Sequence, residues 1–129
     1  MSLLENIPST IEVFRRICTK VLYSVLGESA GAAVLFFLRS NLGCDPFDMF
    51  WENPKAVYDV MEKIFGSGAI ILIEALVTNI NSECDLSMDP RHFLTLMQRG
   101  DMFSLEEMRS FIVKVAESWI RRNSDEQLH

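Results

Sequence analysis

Cysteine, histidine and positive charge are all scarce in this chain of 129 residues, which has three Cys, two His and 12 Lys and Arg against 18 Asp and Glu. Cys18, Cys44 and Cys84 are odd in number, widely separated and without Cys-x-x-Cys spacing, and only His92 and His129 could add imidazole. Neither a disulfide framework nor a zinc site is expected, and nothing implies a cofactor. The net charge of −6 opposes phosphate backbones and anionic lipid, which bind clustered cations, so nucleic acid is disfavoured as a partner. A charge-free apolar run long enough to span a bilayer is also missing. Val21 to Leu38 comes nearest, but it would place Glu28 at mid-membrane, so no membrane partner is expected. Met1 to Pro8 lacks the basic segment, apolar stretch and small-residue cleavage site of a secretory leader, and a reducing cytoplasm is the expected compartment. Sustained period-two alternation is absent too. The run Ile70 to Val77 could pass for a buried strand, yet Glu74 and Ala75 within it favour helix.

What the chain does have is apolar bulk at helical spacing: 49% of its residues are hydrophobic, with nine Phe and seven Met, enough to offset the entropy of ordering one domain. The reading is an all-α, single-domain bundle of about six helices over 1–129, with frayed ends at 1–8 and 124–129. The first helix is expected from Ser9 or Thr10 to Gly27, burying Ile11, Phe14, Cys18, Val21, Leu22 and Val25. Glu28 or Ser29 caps the second, which runs through Leu38 and is apolar nearly all round, as suits the middle of a domain. Phe47 to Trp51 forms one aromatic turn, the third helix spans Pro54 to Phe65, and the fourth spans Ala69 to about Ile80. Asn79 to Ser87 reads as loop. Asp89 and Pro90 open the fifth helix and Gly100 closes it. A Ser104-x-x-Glu107 capping box starts the last, with Met108, Phe111, Ile112, Val115, Trp119 and Ile120 on one face and Arg121-Arg122 near its C-terminal end.

A boundary repeats along the chain. Gly27-Glu28-Ser29-Ala30-Gly31 leads into one apolar helix and Gly66-Ser67-Gly68-Ala69 into another. With one residue dropped, Ser29 matches Ser67, Val34 matches Leu72, Leu38 matches Leu76 and Asn41 matches Asn79, an internal helical-hairpin repeat.

Catalytic constellations do not assemble. Gly27-x-Ser29-x-Gly31 has the spacing of a hydrolase nucleophile elbow, but it follows helix rather than strand, no oxyanion segment accompanies it, and His92 is the sole internal imidazole. Asp45, Asp48, Glu52 and Asp59 lack calcium-loop spacing and read as a solvated acidic face. Arg91 and Arg99 flank the fifth helix, but Asp89, Asp101, Glu106 and Glu107 surround it, against a DNA-reading role. The aromatic cluster of Phe47, Phe50 and Trp51 with Tyr58 reads first as core. Its alternative is an exposed partner surface of Phe47, Phe50, Trp51, Ile112, Trp119 and Ile120, through which a two-fold homodimer could also form.

Glu52-Asn53-Pro54-Lys55-Ala56-Val57-Tyr58, then Ile64-Phe65-Gly66-Ser67-Gly68-Ala69 and the apolar helix after it, resembles a small archaeal helical family, the Nitrosopumilus-type output domain, over residues 9–80. Members stand alone or attached to receiver domains, so the resemblance implies signal output or protein interaction and carries over no catalytic residue. The expectation is a non-enzymatic helical module acting through protein-protein contacts. The alternatives are a sensor of a small apolar ligand held between the second and fourth helices, with Gly31, Ala32 and Ala33 leaving room and Phe36, Phe37, Ile71 and Met61 as lining, or a DNA-binding regulator.

Overall fold

A computed structural model describes residues 6–128, with side chains through Asn123. Residues 1–5, and the side chains of 124–129, lie outside the described residues, and most of the two ends expected to fray falls there. The described residues form seven helices and no strand: α1 (Ile7–Leu26), α2 (Glu28–Leu42), α3 (Pro46–Glu52), α4 (Pro54–Phe65), α5 (Gly68–Cys84), α6 (Pro90–Arg99) and α7 (Met102–Leu128). The aromatic segment is a helix in its own right, which raises the count from six to seven.

Local chemistry sets most boundaries. Asn6, Asp45, Asn53 and Asp89 each accept a backbone N–H of the next helix's first turn, and each precedes a Pro at the first or second helical position. Asn6 starts α1 a turn earlier than Ser9 or Thr10 would. α7 is also capped one turn early: Asp101 Oδ1 accepts from Ser104 N at 2.8 Å and Oδ2 from Ser104 Oγ at 3.0 Å. Ser104 is therefore a buried residue inside the helix, and the expected Ser104–Glu107 box does not form. α5 runs on to Cys84 through the stretch read as loop, because Ile80 and Cys84 extend its buried stripe of Ala69, Ile73 and Val77. Asn81 then pins the connection, its amide donating to Met88 O at 2.8 Å while its Oδ1 accepts from Met88 N at 3.1 Å.

α1 lies against α2, α3, α5 and α7, and α4 against α2, α3, α5 and α6. A chain of rings crosses the interior between them. Phe14 meets Phe47 at 6.2 Å and Phe50 at 5.6 Å, Phe50 stacks on Phe93 at 5.9 Å, and Phe93 meets Phe111 edge-on at 5.6 Å. Such pairs add to the area their rings bury. Asp45 ties three helices together. Beyond capping α3, its carboxylate accepts from Arg15 Nε and Nη2 of α1, both at 3.3 Å, and from Arg39 Nη2 of α2 at 3.3 Å. This member of the acidic stretch is a mostly buried anchor, while Asp48, Glu52 and Asp59 remain on the surface.

Burial follows the expected internal repeat only in part, and in a shifted register. Counting from Gly27 and Gly66, which end α1 and α4, the buried Val34 and Leu38 of α2 correspond to Ile73 and Val77 of α5. Dropping no residue aligns these two pairs, whereas the Val34–Leu72 match sets a buried residue against a half-buried one; outside them the buried Ala69 falls on the exposed Ala30 and the buried Ile80 on the exposed Asn41.

Candidate interaction surface

α2 is where the helices depart furthest from expectation. Its buried stripe is only Gly31, Val34 and Leu38, and its other side faces solvent. Ser29, Ala30, Ala32, Ala33, Phe36, Phe37 and Ser40 are all exposed. An apolar helix expected at the centre lies instead at the margin, because its partners α1, α3 and α4 all meet one side. Gly31 sets how closely it lies on α1. A Cβ there would come 2.5 Å from Tyr23 Cδ1 and 3.4 Å from Tyr23 Cα, so the missing side chain makes room for Tyr23 and not for a ligand.

Phe36 and Phe37 are 65% and 47% exposed, with ring centroids 5.8 Å apart in an edge-on contact. Ten consecutive residues, Ser29 to Leu38, carry no charge, and Glu28 and Arg39 bound them. Single exposed apolar residues are ordinary on protein surfaces, but a contiguous apolar face marks a contact site. Elsewhere Phe103 is 86% exposed beside Met102, yet Asp101, Glu106 and Glu107 break up that patch.

Most of the expected surface residues lie elsewhere. Phe50 and Trp51 are each 6% exposed and Ile112 is 1% exposed, so these three belong to the core. Trp51 lies under the Arg109 guanidinium at 5.1 Å, and Arg109 Nε donates to Trp51 O at 2.9 Å. Phe47 and Trp119 are half-buried against the core, and Ile120 alone of the six is exposed. The ligand-pocket lining disperses in the same way: Phe36, Phe37 and Ile71 point outward and Met61 is buried. The cavity between α2 and α5 is about 50 Å³ and wholly apolar, bordered by Met61, Leu35, Leu38, Leu72 and Leu76.

Polar chemistry is sparse. Ser29 sits on helical backbone in the first turn of α2, without the strand-to-helix elbow that strains a nucleophile. His92 Nε2 of α6 meets Glu107 Oε2 of α7 on the surface. Burial pushes the Cys18 thiol up, and the Cys84 thiol likewise, which suppresses the reactive thiolate. A concavity of about 550 Å³ opens between the end of α5 and the middle of α7. Asp85 and Glu117 line it beside Lys114, Arg121 and Arg122, so its charges largely offset one another. α7 continues to Leu128, so Arg121 and Arg122 stand more than a turn before its end and not at the expected terminus. At the end of α5, Ser118 Oγ of α7 donates to Cys84 O. No cluster among the described residues has the composition of a metal site, and no helix among them is long and apolar enough to cross a membrane.

No protein-family model, curated protein or solved structure matches the chain.

Proposed function

We propose that this protein is a non-catalytic interaction module that works by docking the outer face of α2 onto protein, as a regulatory or signalling output domain of the Nitrosopumilus-type family would. One observation carries the reading: two adjacent exposed phenylalanines on a helix face without charge for ten residues. Exposed aromatic rings are the side chains that dominate protein interfaces, because each buries a large area at the cost of two rotatable bonds. Three free cysteines, two of them buried, fit action in the cytoplasm. A small-ligand sensor draws less support, since a cavity of about 50 Å³ is far below the roughly 300–1,000 Å³ of ligand pockets. The test places a photoreactive phenylalanine at position 36 in cells, with the exposed position 106 as control. The reading expects a covalent adduct to protein at 36 and none at 106, with Phe37→Glu abolishing it. Equal labelling at both positions, or no protein adduct at 36, would remove the basis for this surface.

A further inference from the structure

We infer that the occupant of this face is a second copy of the chain, docked antiparallel about a two-fold axis between Ala33 and Val34. The inference rests on the preceding reading of α2 as a docking surface and adds the identity of the partner. Register is the first ground. The midpoint between Glu28 and Arg39 is also the midpoint between Ala30 and Phe37. One antiparallel alignment therefore brings Phe37 onto the partner's Ala30 and Glu28 level with the partner's Arg39.

Shape agrees with that alignment. At helical spacing Ser29, Ala32, Ala33 and Phe36 outline a diamond, and the three small members are exposed. A helical side chain leans toward its own N-terminus, so the Phe36 ring reaches the level of the partner's Ala32 and enters the hollow left by Ser29, Ala32 and Ala33. Phe37 does the same between the partner's Ala30 and Ala33. Alanines at these positions let two helices approach closely enough for both rings to insert.

Charge then selects the direction. Glu28 and Arg39 lie three turns apart on nearly the same flank of the helix, and in an antiparallel pair like flanks face each other. Each carboxylate would meet a guanidinium. In a parallel pair the same flank of the two copies lies on opposite sides of the seam, so neither charge finds its complement and only the antiparallel arrangement pairs them. Arg39 shares one nitrogen with Asp45 at 3.3 Å but keeps its side chain 67% exposed, leaving donors for a second carboxylate. The two rings leave about 200 Å² of aromatic surface open per copy, well under the roughly 800 Å² per partner of a standard interface, so they form only the centre of the contact and the complex is weak. The dimer is accordingly expected to depend on concentration.

Light scattering after size exclusion on the full chain, from micromolar to millimolar, should show mass rising from monomer to dimer and no further. Phe37→Glu should hold the chain at monomer mass with unchanged helical circular dichroism, and Glu28→Arg should shift the midpoint to several-fold higher concentration. In a Cys44→Ser background, oxidation of Ala33→Cys should give a covalent dimer, because that position lies next to the axis, whereas Ser40→Cys should not. A monomer at every concentration, together with position-36 adducts to other proteins, would overturn the second copy and leave the docking face standing. No adduct of any kind would overturn both. A dimer indifferent to Phe37→Glu, without cross-linking at position 33, would place self-association on another surface and refute the inference.

Discussion

Replacing Gly66 and Gly43 separately by Asn would isolate what the corner after α4 demands of its backbone. Both glycines follow a helix, both have positive φ, and a side chain at either would meet nothing within 4 Å. Sterics therefore cannot distinguish them, and only the backbone differs. Gly43 has φ 74° and ψ 11°, the left-handed helical region that Asn enters readily. Gly66 has φ 59° and ψ −133°, outside that region and accessible to glycine almost alone, so it is not the left-handed cap expected of a helix end. Gly43→Asn should cost under about 1 kcal/mol. Gly66→Asn should cost about 2 kcal/mol, within the range for a residue forced into a sparsely populated backbone conformation. For a domain of this size that difference appears as a melting temperature lower by about 6–10 °C in Gly66→Asn and by a few degrees in Gly43→Asn. Differential scanning calorimetry of the two variants measures it. Equal shifts, or no shift at Gly66, would refute the assignment of strain to that corner.

Phe50→Ala should destabilise by about 3–5 kcal/mol because it empties the ring chain between Phe14 and Phe93, whereas Phe36→Ala should stay within about 0.5 kcal/mol; urea unfolding of both checks the contrast. Native protein treated with a thiol reagent should be modified rapidly only at Cys44, since Cys18 and Cys84 are buried with raised thiol values; fast labelling at Cys18 by mass spectrometry would contradict the buried site. Burial alone would raise the Asp45 carboxyl, but hydrogen bonds from Arg15 and from the Phe47 and Asp48 amides outweigh it and hold the group below the usual carboxylate range. The resulting stabilisation is present above the unfolded value near pH ~4 and is lost as pH falls through the lower folded value. Asp45→Asn should therefore lower stability at neutral pH and flatten the acid limb of the melting profile; an unchanged limb would argue against the Arg15 pairing.

Much of the fold was legible because helix ends obey local rules. Asp89-Pro90, Asn53-Pro54, Gly66 and Gly100 stand where their chemistry places them, since a cap or a positive φ needs only its neighbours in sequence. Ser104 misled because Asp101, three positions earlier, offers the better acceptor, and two overlapping caps look alike in sequence. The interaction surface was harder to read. α2 and α5 are both apolar nearly all round, and periodicity cannot say which of two such helices is enclosed. That depends on which neighbours fold over each, a property of the tertiary arrangement. Of the aromatics, only those of α2 were misplaced, for the same reason. Phe50 and Trp51, read first as core, are buried as that reading has them and not on the alternative partner surface, while Phe36 and Phe37, among alanines and leucines, resembled an interior and are exposed. The informative sign was the small residues at 30, 32 and 33, which would contribute little to a core yet leave hollows on an exposed face.

The close fit of Gly31 on Tyr23 and the anchoring of Arg39 through Asp45 hold α2 at both ends of its uncharged stretch. Anything that docks there meets a helix already in position and two rings already leaning on each other, so little conformational freedom is surrendered on contact. The strength of the proposed docking would thereby be coupled to residues that never touch the partner. Loosening either end, for instance by Tyr23→Ala or Asp45→Asn, would weaken association through the helix's own mobility, so residues outside the contact would set its strength from inside the molecule.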